Sequence, residues 1–487
     1  MQENKKRIIL FHRAQLTDLY ILLFKFLKRD FDIIHVAYGK REYLKLKAAG
    51  ITENVIQMTD DVTQILSNNR EVNKCLIQEL DSLIIKETKG RFSLNSSIQS
   101  DRGFSVLDYN EAMLLSQTYY IFWNDIFTKY QVDYVFHEPP SLFFVHMCVM
   151  LCNKYGGKFI WQHATRGDTK DLCYLNIVSD DYTCPEILKH LCEYKKTDAN
   201  VQRLSSFLSE YRESNKVFML DMIKTNNMNF ASMFYRVAKD ELRRMVKKNK
   251  FDKLANNIDY WLKEQHRLRD KLCNSIAYKI RDLEFSDLPQ GEKYYYYPFH
   301  LEPEAVVLYL ADGIYTNQIK LIENIAASLP ADTYLYVKDH PHELAYRNVN
   351  DYLRLRAIPN IRLLNPKLPG MSVIQEAIGV ITINGTAGLE GLLLGKQVYT
   401  FGKTFYSISN RVTYIHSIRD LRDEIYKNRD LVYDNDEDLY PFVYAYLNSL
   451  HTGVVHYFSN RDKSYKLDED ENAKQIASNF IEFSKSF

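Results

Sequence analysis

Two short segments, about 45 residues apart, carry side chains able to hold an anion: VKDHPHE (337–343) and INGTAGLEG (383–391). In the first, Pro341 fixes its own φ and restricts His340 to extended backbone. The His340 imidazole is thereby held at the edge of a strand, with Lys338 two residues before it. An imidazole so held can bind a phosphate oxygen and stabilise phosphate as a leaving group. In the second, Gly385 permits a close backbone approach and a positive φ. Thr386 stands where its hydroxyl and the first free amides of a following helix converge. Those amides favour a phosphate by about 0.3–1 kcal/mol when exposed, and by more in a cleft. Glu390, one turn beyond Thr386, lies on the same helical face and can meet a ribose or a base. Two readings of Asn384-Gly385-Thr386 stand, a seat for an anion or a tight strand-to-helix turn with no ligand.

Other strand ends carry similar groups. His300, Glu302 and Glu304 follow the tyrosine strand KYYYYPFH (293–300). In the first half, His137 and Glu138 end one strand, Gln162 and His163 end another, and Arg166 and Asp168 follow. Histidine recurring at strand ends is not what turn-forming composition alone supplies. Glu138 is a candidate acid/base, or simply a charge at a helix start before Pro139-Pro140. Asp168 is a candidate nucleophile or charge stabiliser, or an ordinary turn residue. His163 is a third candidate for the chemistry, and Arg166 can pair with a substrate carboxylate or with Asp168.

The elements that position these groups read as two αβ sets. Residues 1–185 form the first, with strands at 7–11, 31–38, 54–58, 132–138 and 158–163 and helices near 15–28, after 40, at 110–129 and at 141–155. The segment between 58 and 110 reads as irregular and polar. Residues 291–470 form the second, with strands at 293–300, 333–340, 361–364, 379–384 and 396–401 alternating with helices. Apolar runs separated by helical periodicity predict parallel sheets covered on both faces. In such sheets, side chains just past the strand C-termini face the ligand crevice. Residues 186–290 are charged and helical, an insertion or linker, with the alternative of a basic surface for anionic lipid or glycan. A terminal helix spans 471–487.

Bulk properties narrow the class. Lys+Arg 63 against Asp+Glu 62 leaves a net charge of +1, so any anionic ligand needs a local site, and nucleic acid is not an expected partner. No apolar run reaches membrane-span length, and the start MQENKKRIILFHRAQ has no signal-peptide pattern. Seven cysteines, odd and sparse, suit a reduced, cytoplasmic protein. Cys148 and Cys152 have the spacing of a zinc pair, but core packing is the favoured reading. The Asp-x-Asp pairs at 434/436, 436/438 and 468/470 precede C-terminal helices and read as helix-start acidity rather than metal ligands. No Walker loop, dinucleotide fingerprint or His-Glu-x-x-His is present.

VKDHPHE together with VITINGTAGLEGLLLGKQVYTFGKTFY resembles the bacterial capsule polysaccharide biosynthesis glycosyltransferases, a group that includes the β-Kdo transferases. YYPFHLEPEA (296–305) is similar to the segment that opens their nucleotide-binding half, and the resemblance spans 294–406. It implies a GT-B architecture, two Rossmann-like domains whose parallel sheets face a central cleft. It also implies a CMP-activated ulosonic or nonulosonic acid donor, Kdo or pseudaminic, legionaminic or sialic acid, and no metal cofactor. By the same resemblance His340 (fixed by Pro341) and Thr386 bind the donor phosphate, Asn384 and Gly385 shape the loop, and Glu302, Glu304 and Glu390 contact ribose or cytosine. The acceptor is then a glycan or lipid-linked glycan, with peripheral inner-membrane association and retention of configuration. Relatives show an acidic residue and a glycine where this chain has Gln162 and His163, a departure that puts the nucleophile's identity in doubt. The alternatives are a CDP-glycerol-type polyol-phosphate transferase, which shares the His-Pro strand end, and a non-catalytic scaffold of capsule assembly.

Overall fold

The computed structural model describes residues 5–101, 103–104, 107–165, 173–213, 234–235, 238–239, 273–278, 281, 283–288, 291–302, 305–340, 347–431, 433–455 and 467–486. Arg166, Asp168, Glu304 and Pro341 lie outside them. The chain forms two compact units, one drawn from 1–190 and 445–487 and the other from 191–444. The second unit thus ends near 445, not at 470, because the final segment packs into the first.

The first unit opens with β1 (Lys6–His12), β2 (Phe31–Ala37) and β3 (Val55–Gln57), all parallel. β4 (Tyr134–Phe136) pairs on the other side of β1, and β5 (Lys158–Thr165) pairs with β4, both parallel. β6 (Cys173–Val178) then turns back antiparallel on β5. The alternating residues Ile8, Leu10, Tyr134, Phe136 and Ile160 bury one face beneath helix Leu16–Leu27 and helix Glu469–Ser484, through Tyr20, Leu23, Ile476 and Phe480. This is the pattern of a sheet whose apolar face must be covered by amphipathic helices.

The second unit holds β7 (Tyr294–Pro298), β8 (Tyr334–Lys338), β9 (Ile361–Leu364), β10 (Gly379–Thr382), β11 (Gln397–Thr400) and β12 (Val412–Tyr414). All pair in parallel in the order β12-β11-β10-β7-β8-β9. Tyr295, Tyr297 and Phe299 point into one apolar layer with Leu335, Val337 and Ile381. On the other face Tyr294 stacks on Tyr336 at 3.8 Å. The chain then returns to the first unit, where β13 (His451–Thr452) pairs antiparallel with β6.

Several elements differ from expectation. The stretch after Gln57 is helical, with Met58–Asn68, Lys74–Glu87 and Leu94–Gln99. Their solvent faces are polar enough to mask buried stripes such as Val62/Leu66 and Leu80/Leu83/Ile84, while Asn73 and Ser93 cap the last two. β6 escapes a reading of apolar runs because Asn176 interrupts CYLNIV, and β12 is only three half-buried residues long. Of the charged 186–290 segment, helices Pro185–Glu193 and Asp198–Glu213 are the long described elements.

Candidate functional site

Both sheets reverse strand order at one point. In the second unit β7 is followed outward by β8 and β9 on one side and by β10, β11 and β12 on the other. In the first, β1 lies between β2 and β4. Connections leave opposite faces at such a point, so the C-terminal ends of the two central strands border a crevice where ligands bind. In the second unit these strands are β7 and β10, which carry His300 and Asn384-Gly385-Thr386 beyond their ends.

His300 is buried and ties the two strand ends together. Its Nε2 accepts the Ile383 amide at 3.1 Å and lies 3.1 Å from the Thr382 hydroxyl, so the ring proton is assigned to Nδ1. Burial, helped by the nearby Arg347 charge, pushes the imidazole down to about 3 and keeps it neutral. Gly385 has φ −77° and ψ 164°, ordinary extended backbone, so the positive φ that glycine permits is not used here. Glycine is required for another reason: an added Cβ would stand 2.7 Å from His300 Cε1. Gly385 also receives the Tyr406 hydroxyl on its carbonyl at 2.6 Å and donates its amide to Thr382 at 3.2 Å. Helix Thr386–Leu393 starts from it with Thr386 exposed. Asn384 is buried, donates to the Leu310 carbonyl at 3.2 Å, and leaves its Oδ1 without a partner among the described residues.

The β8 end is organised by Asp339, a residue the sequence reading passed over. One of its oxygens accepts the His340 amide at 2.7 Å, while the other accepts Arg347 Nε at 3.0 Å and the Tyr352 hydroxyl. Arg347 lies flat over the Phe299 ring at 3.9 Å and donates to Glu302 at 2.7 Å. Glu302 also accepts Gln318 Nε2 at 2.6 Å. It is therefore engaged in bracing the β7 and β8 ends to each other, where a ribose contact was expected. Lys338 ends β8 buried, its Nζ 3.3 Å from the Pro366 carbonyl. Burial lowers its ammonium from the ordinary value, against the opposing pull of Asp339 and Glu390. Glu390 is likewise buried on the helix after β10. The structure thus brings His300, Asn384, Gly385 and Thr386 to one crevice, with Lys338, His340, Glu302 and Glu390 grouped around the adjoining strand end.

In the first unit the reversal lies between β1 and β4, and Arg13 and Glu138 meet there in an ion pair. The β1 loop is tight, with Ala14 at φ 49° and its amide on Glu42 at 3.2 Å. His137 donates Nδ1–H to the Phe11 carbonyl at 2.8 Å, leaving Nε2 as a lone pair 3.9 Å from Glu138 Oε1. Burial pushes His137 down to about 4. His12 Nε2 and His35 Nδ1 share a proton at 2.9 Å, and both rings are held neutral by burial. His12 and Arg13 were overlooked, although the strand-end rule applied to 7–11 points at them. His163 is not beyond a strand end: β5 continues to Thr165 and pairs His163 with Leu175. It is half-buried, edge-on to Trp161 and Tyr182 at 5.8 and 5.3 Å, and burial holds its ring down to about 4.

Other clusters are structural. Asp436 and Asp438 are ion-pair partners of Arg411, and Asp436 also of Arg212, while Asp468 caps the last helix. Cys148 and Cys152 are fully buried on helix Phe143–Lys154, and burial raises both thiols. Ser97, His146 and Asp180 line up with Oγ–Nδ1 at 2.8 Å and Nε2–Oδ2 at 3.4 Å, yet all three are buried and Asp180 is paired with Arg91. Among the described residues no group of three or more His, Cys, Asp or Glu is placed to hold a metal, and no helix is long and apolar enough to cross a membrane.

Each of the two units thus has a Rossmann-like strand order with polar groups at its reversal. Residues 216–440 match the family model described as capsule polysaccharide biosynthesis protein. It is 25% identical over 152 residues to the capsule polysaccharide modification protein LipB of Neisseria meningitidis serogroup A, covering 28% of this chain and 35% of that protein. It is 33% identical over 97 residues to protein FixF of Sinorhizobium fredii, covering 20% of this chain and 22% of that one. The chain therefore matches about a third or less of these relatives' lengths. Among solved structures, Thermosulfurimonas dismutans KpsC, beta Kdo 2,4 transferase, aligns at 12% identity and TM-score 0.31, over 66% of this chain and 82% of that one. A Neisseria meningitidis UDP-GlcNAc 2-epimerase aligns at 10% identity and TM-score 0.29, over 99% and 100%. Likenesses so loose carry no functional argument.

Proposed function

We propose that the protein is a glycosyltransferase that moves a 3-deoxy ulosonic or nonulosonic acid, Kdo foremost, from its CMP derivative onto a bacterial surface glycan. The observation that carries this reading is the crevice between β7 and β10. There a glycine kept bare for His300 leads straight into a helix N-terminus, with His340 fixed by Asp339 at the neighbouring strand end. Helix amides and an imidazole donor suit one phosphate. The buried carboxylate Glu390 suits ribose hydroxyls or a base amine rather than further phosphates. A monophosphate donor therefore fits better than a diphosphate, which needs more positive charge or a metal.

In the reaction, the bond from the anomeric carbon to the phosphate oxygen breaks and CMP leaves with the electron pair. His340 and the Thr386 helix stabilise the departing charge. With retention, a carboxylate first bonds the anomeric carbon, and the acceptor hydroxyl then displaces it while a base takes its proton. Glu138 is the described carboxylate for acid/base work, with Asp168 the candidate nucleophile. Metal independence, a cytoplasmic location and peripheral association with the inner membrane belong to the same proposal.

Donor hydrolysis by the full chain, with CMP-Kdo and CMP-nonulosonic acids compared side by side, tests it. His340→Ala is expected to slow turnover at least tenfold. Undiminished turnover in that variant, or no turnover of any CMP-sugar by the unaltered chain, contradicts the proposal.

A further inference from the structure

In the second unit, the loop after β11 is fastened at two points to the Asn384-Gly385-Thr386 turn, and a lysine stands between them. The Phe401 amide donates to the Thr382 carbonyl at 3.1 Å, and the Gly402 amide to the Ile383 carbonyl at 2.8 Å. β10 and β11 therefore stay paired past their ends, and Lys403 follows directly beside the turn. Gly402 is packed so closely there that an added Cβ would stand 3.2 Å from Asn384 Nδ2 and 3.1 Å from Ala311 Cβ. Further along, the Tyr406 hydroxyl donates to the Gly385 carbonyl at 2.6 Å. Between these points the Thr404 amide donates to Ser407 Oγ at 3.0 Å, and Ser407 returns its amide to the Thr404 carbonyl at 3.1 Å. The Lys403 backbone is thus held on both sides against the turn at which the donor phosphate is proposed to sit.

Other charged groups at this edge are engaged or enclosed. Arg347 is paired with Asp339 and Glu302, Lys338 is buried against the Pro366 carbonyl, and Glu390 is buried on its helix. Lys403 is exposed and makes no side-chain hydrogen bond or ion pair with any described residue. A lysine is a compact charge on a flexible stem, so a fixed backbone here still lets the ammonium meet an anion beside the turn. Exposed lysines are common, and it is the place of this one that singles it out.

We infer that Lys403 is a specificity-determining residue that binds the carboxylate of the donor sugar. In the proposed donor a single carbon, the anomeric one, bears both the carboxylate and the oxygen that leads to phosphorus. The two anionic groups are therefore forced into neighbouring positions, whatever the rest of the sugar. Adjacent strand ends stand about 4.8 Å apart, an offset that suits a phosphate on the Thr386 helix and a carboxylate on Lys403. An aldose carries hydrogen at that carbon and offers the lysine no second anion. The assignment rests on the transferase reading and adds to it what separates an acidic sugar from a neutral one. The carboxylate keeps its charge from bound donor to transition state, so losing its partner raises KM and leaves kcat in place.

Steady-state donor hydrolysis by the full chain with CMP-Kdo, and calorimetry with CMP alone, test the assignment on Lys403→Gln and Lys403→Arg. Lys403→Gln is expected to raise KM about tenfold, the loss of one hydrogen bond between charged groups. Its kcat and its CMP affinity should each change less than about threefold, and Lys403→Arg should recover most of the KM. Thermal melts matching the parent show that the exposed substitutions leave the fold intact. An unchanged KM, a loss carried by kcat, or an equal loss of CMP affinity, which would put the lysine on the phosphate, overturns the assignment alone. A parent chain that binds no CMP overturns the transferase reading and this assignment with it.

Discussion

Replacing Gly385 with alanine adds one methyl group where the crevice has no room for it. The backbone at φ −77° and ψ 164° accepts alanine without strain, so the cost is steric alone. The new Cβ would lie 2.7 Å from His300 Cε1, 3.3 Å from its Nδ1 and 3.2 Å from Thr382 Oγ1. His300 cannot retreat freely, because Nε2 holds the Ile383 amide at 3.1 Å and the ring is buried. Overpacking of this kind costs about 1–3 kcal/mol, or roughly 2–12 °C of melting temperature for a unit of this size. His300→Ala alone leaves the Ile383 amide without its acceptor, at about 1–3 kcal/mol. In the double variant the methyl occupies space the ring has vacated, so the two losses should fall short of additive by at least about 1 kcal/mol. Thermal melts of the four proteins, with CMP titrations alongside, measure this cycle. Gly385→Ala that melts and binds CMP like the parent, or strictly additive losses, refutes the packing argument.

Further outcomes follow from the same contacts. Arg347→Ala strands the Asp339 carboxylate in the core and should cost about 3–5 kcal/mol in denaturant unfolding, whereas Arg354→Ala on the surface should cost under about 1 kcal/mol. Arg13→Ala removes the Glu138 ion pair and should lower donor turnover and shift the pH profile of kcat, with Arg13→Lys restoring part of both. The neutral imidazoles of His35, His137 and His163, held down to about 4, and of His300, to about 3, bind protons more readily once unfolded, where the usual value is about 6.5. Unfolding therefore takes up protons as pH falls below about 6.5, and stability should drop by up to about 1.4 kcal/mol per pH unit for each such ring down to about pH 4. Melting temperatures measured from pH 7.5 to 4.5 check this, and a flat profile would contradict it.

Much of the scaffold was readable because buried parallel strands write themselves as apolar runs. VDYVF, TYLYV and GVITI each mark an interior strand, and their ends led to Glu138, His340 and Thr386. What escaped was set by pairing rather than by pattern. β6 carries a buried Asn176 paired in register with Gln162 on the neighbouring strand, and no local rule predicts that neighbour. At Gly385 the steric constraint comes from His300, 85 positions away in sequence, and no local pattern points to that neighbour. Asp339 and Arg347 were passed over because an acid next to His-Pro looks like solvated loop chemistry until Tyr352 and Phe299 are seen closing around it. Glu302 showed the converse, an apparently available carboxylate already engaged by Gln318 and Arg347.

The most direct measurement is a crystal structure of the full chain with CMP, at a concentration set by calorimetric titration. The account predicts the phosphate at the β7–β10 crevice, within hydrogen-bonding reach of His340 and the first amides of helix Thr386–Leu393. CMP bound elsewhere on the chain, or no heat of binding at millimolar nucleotide, would contradict it.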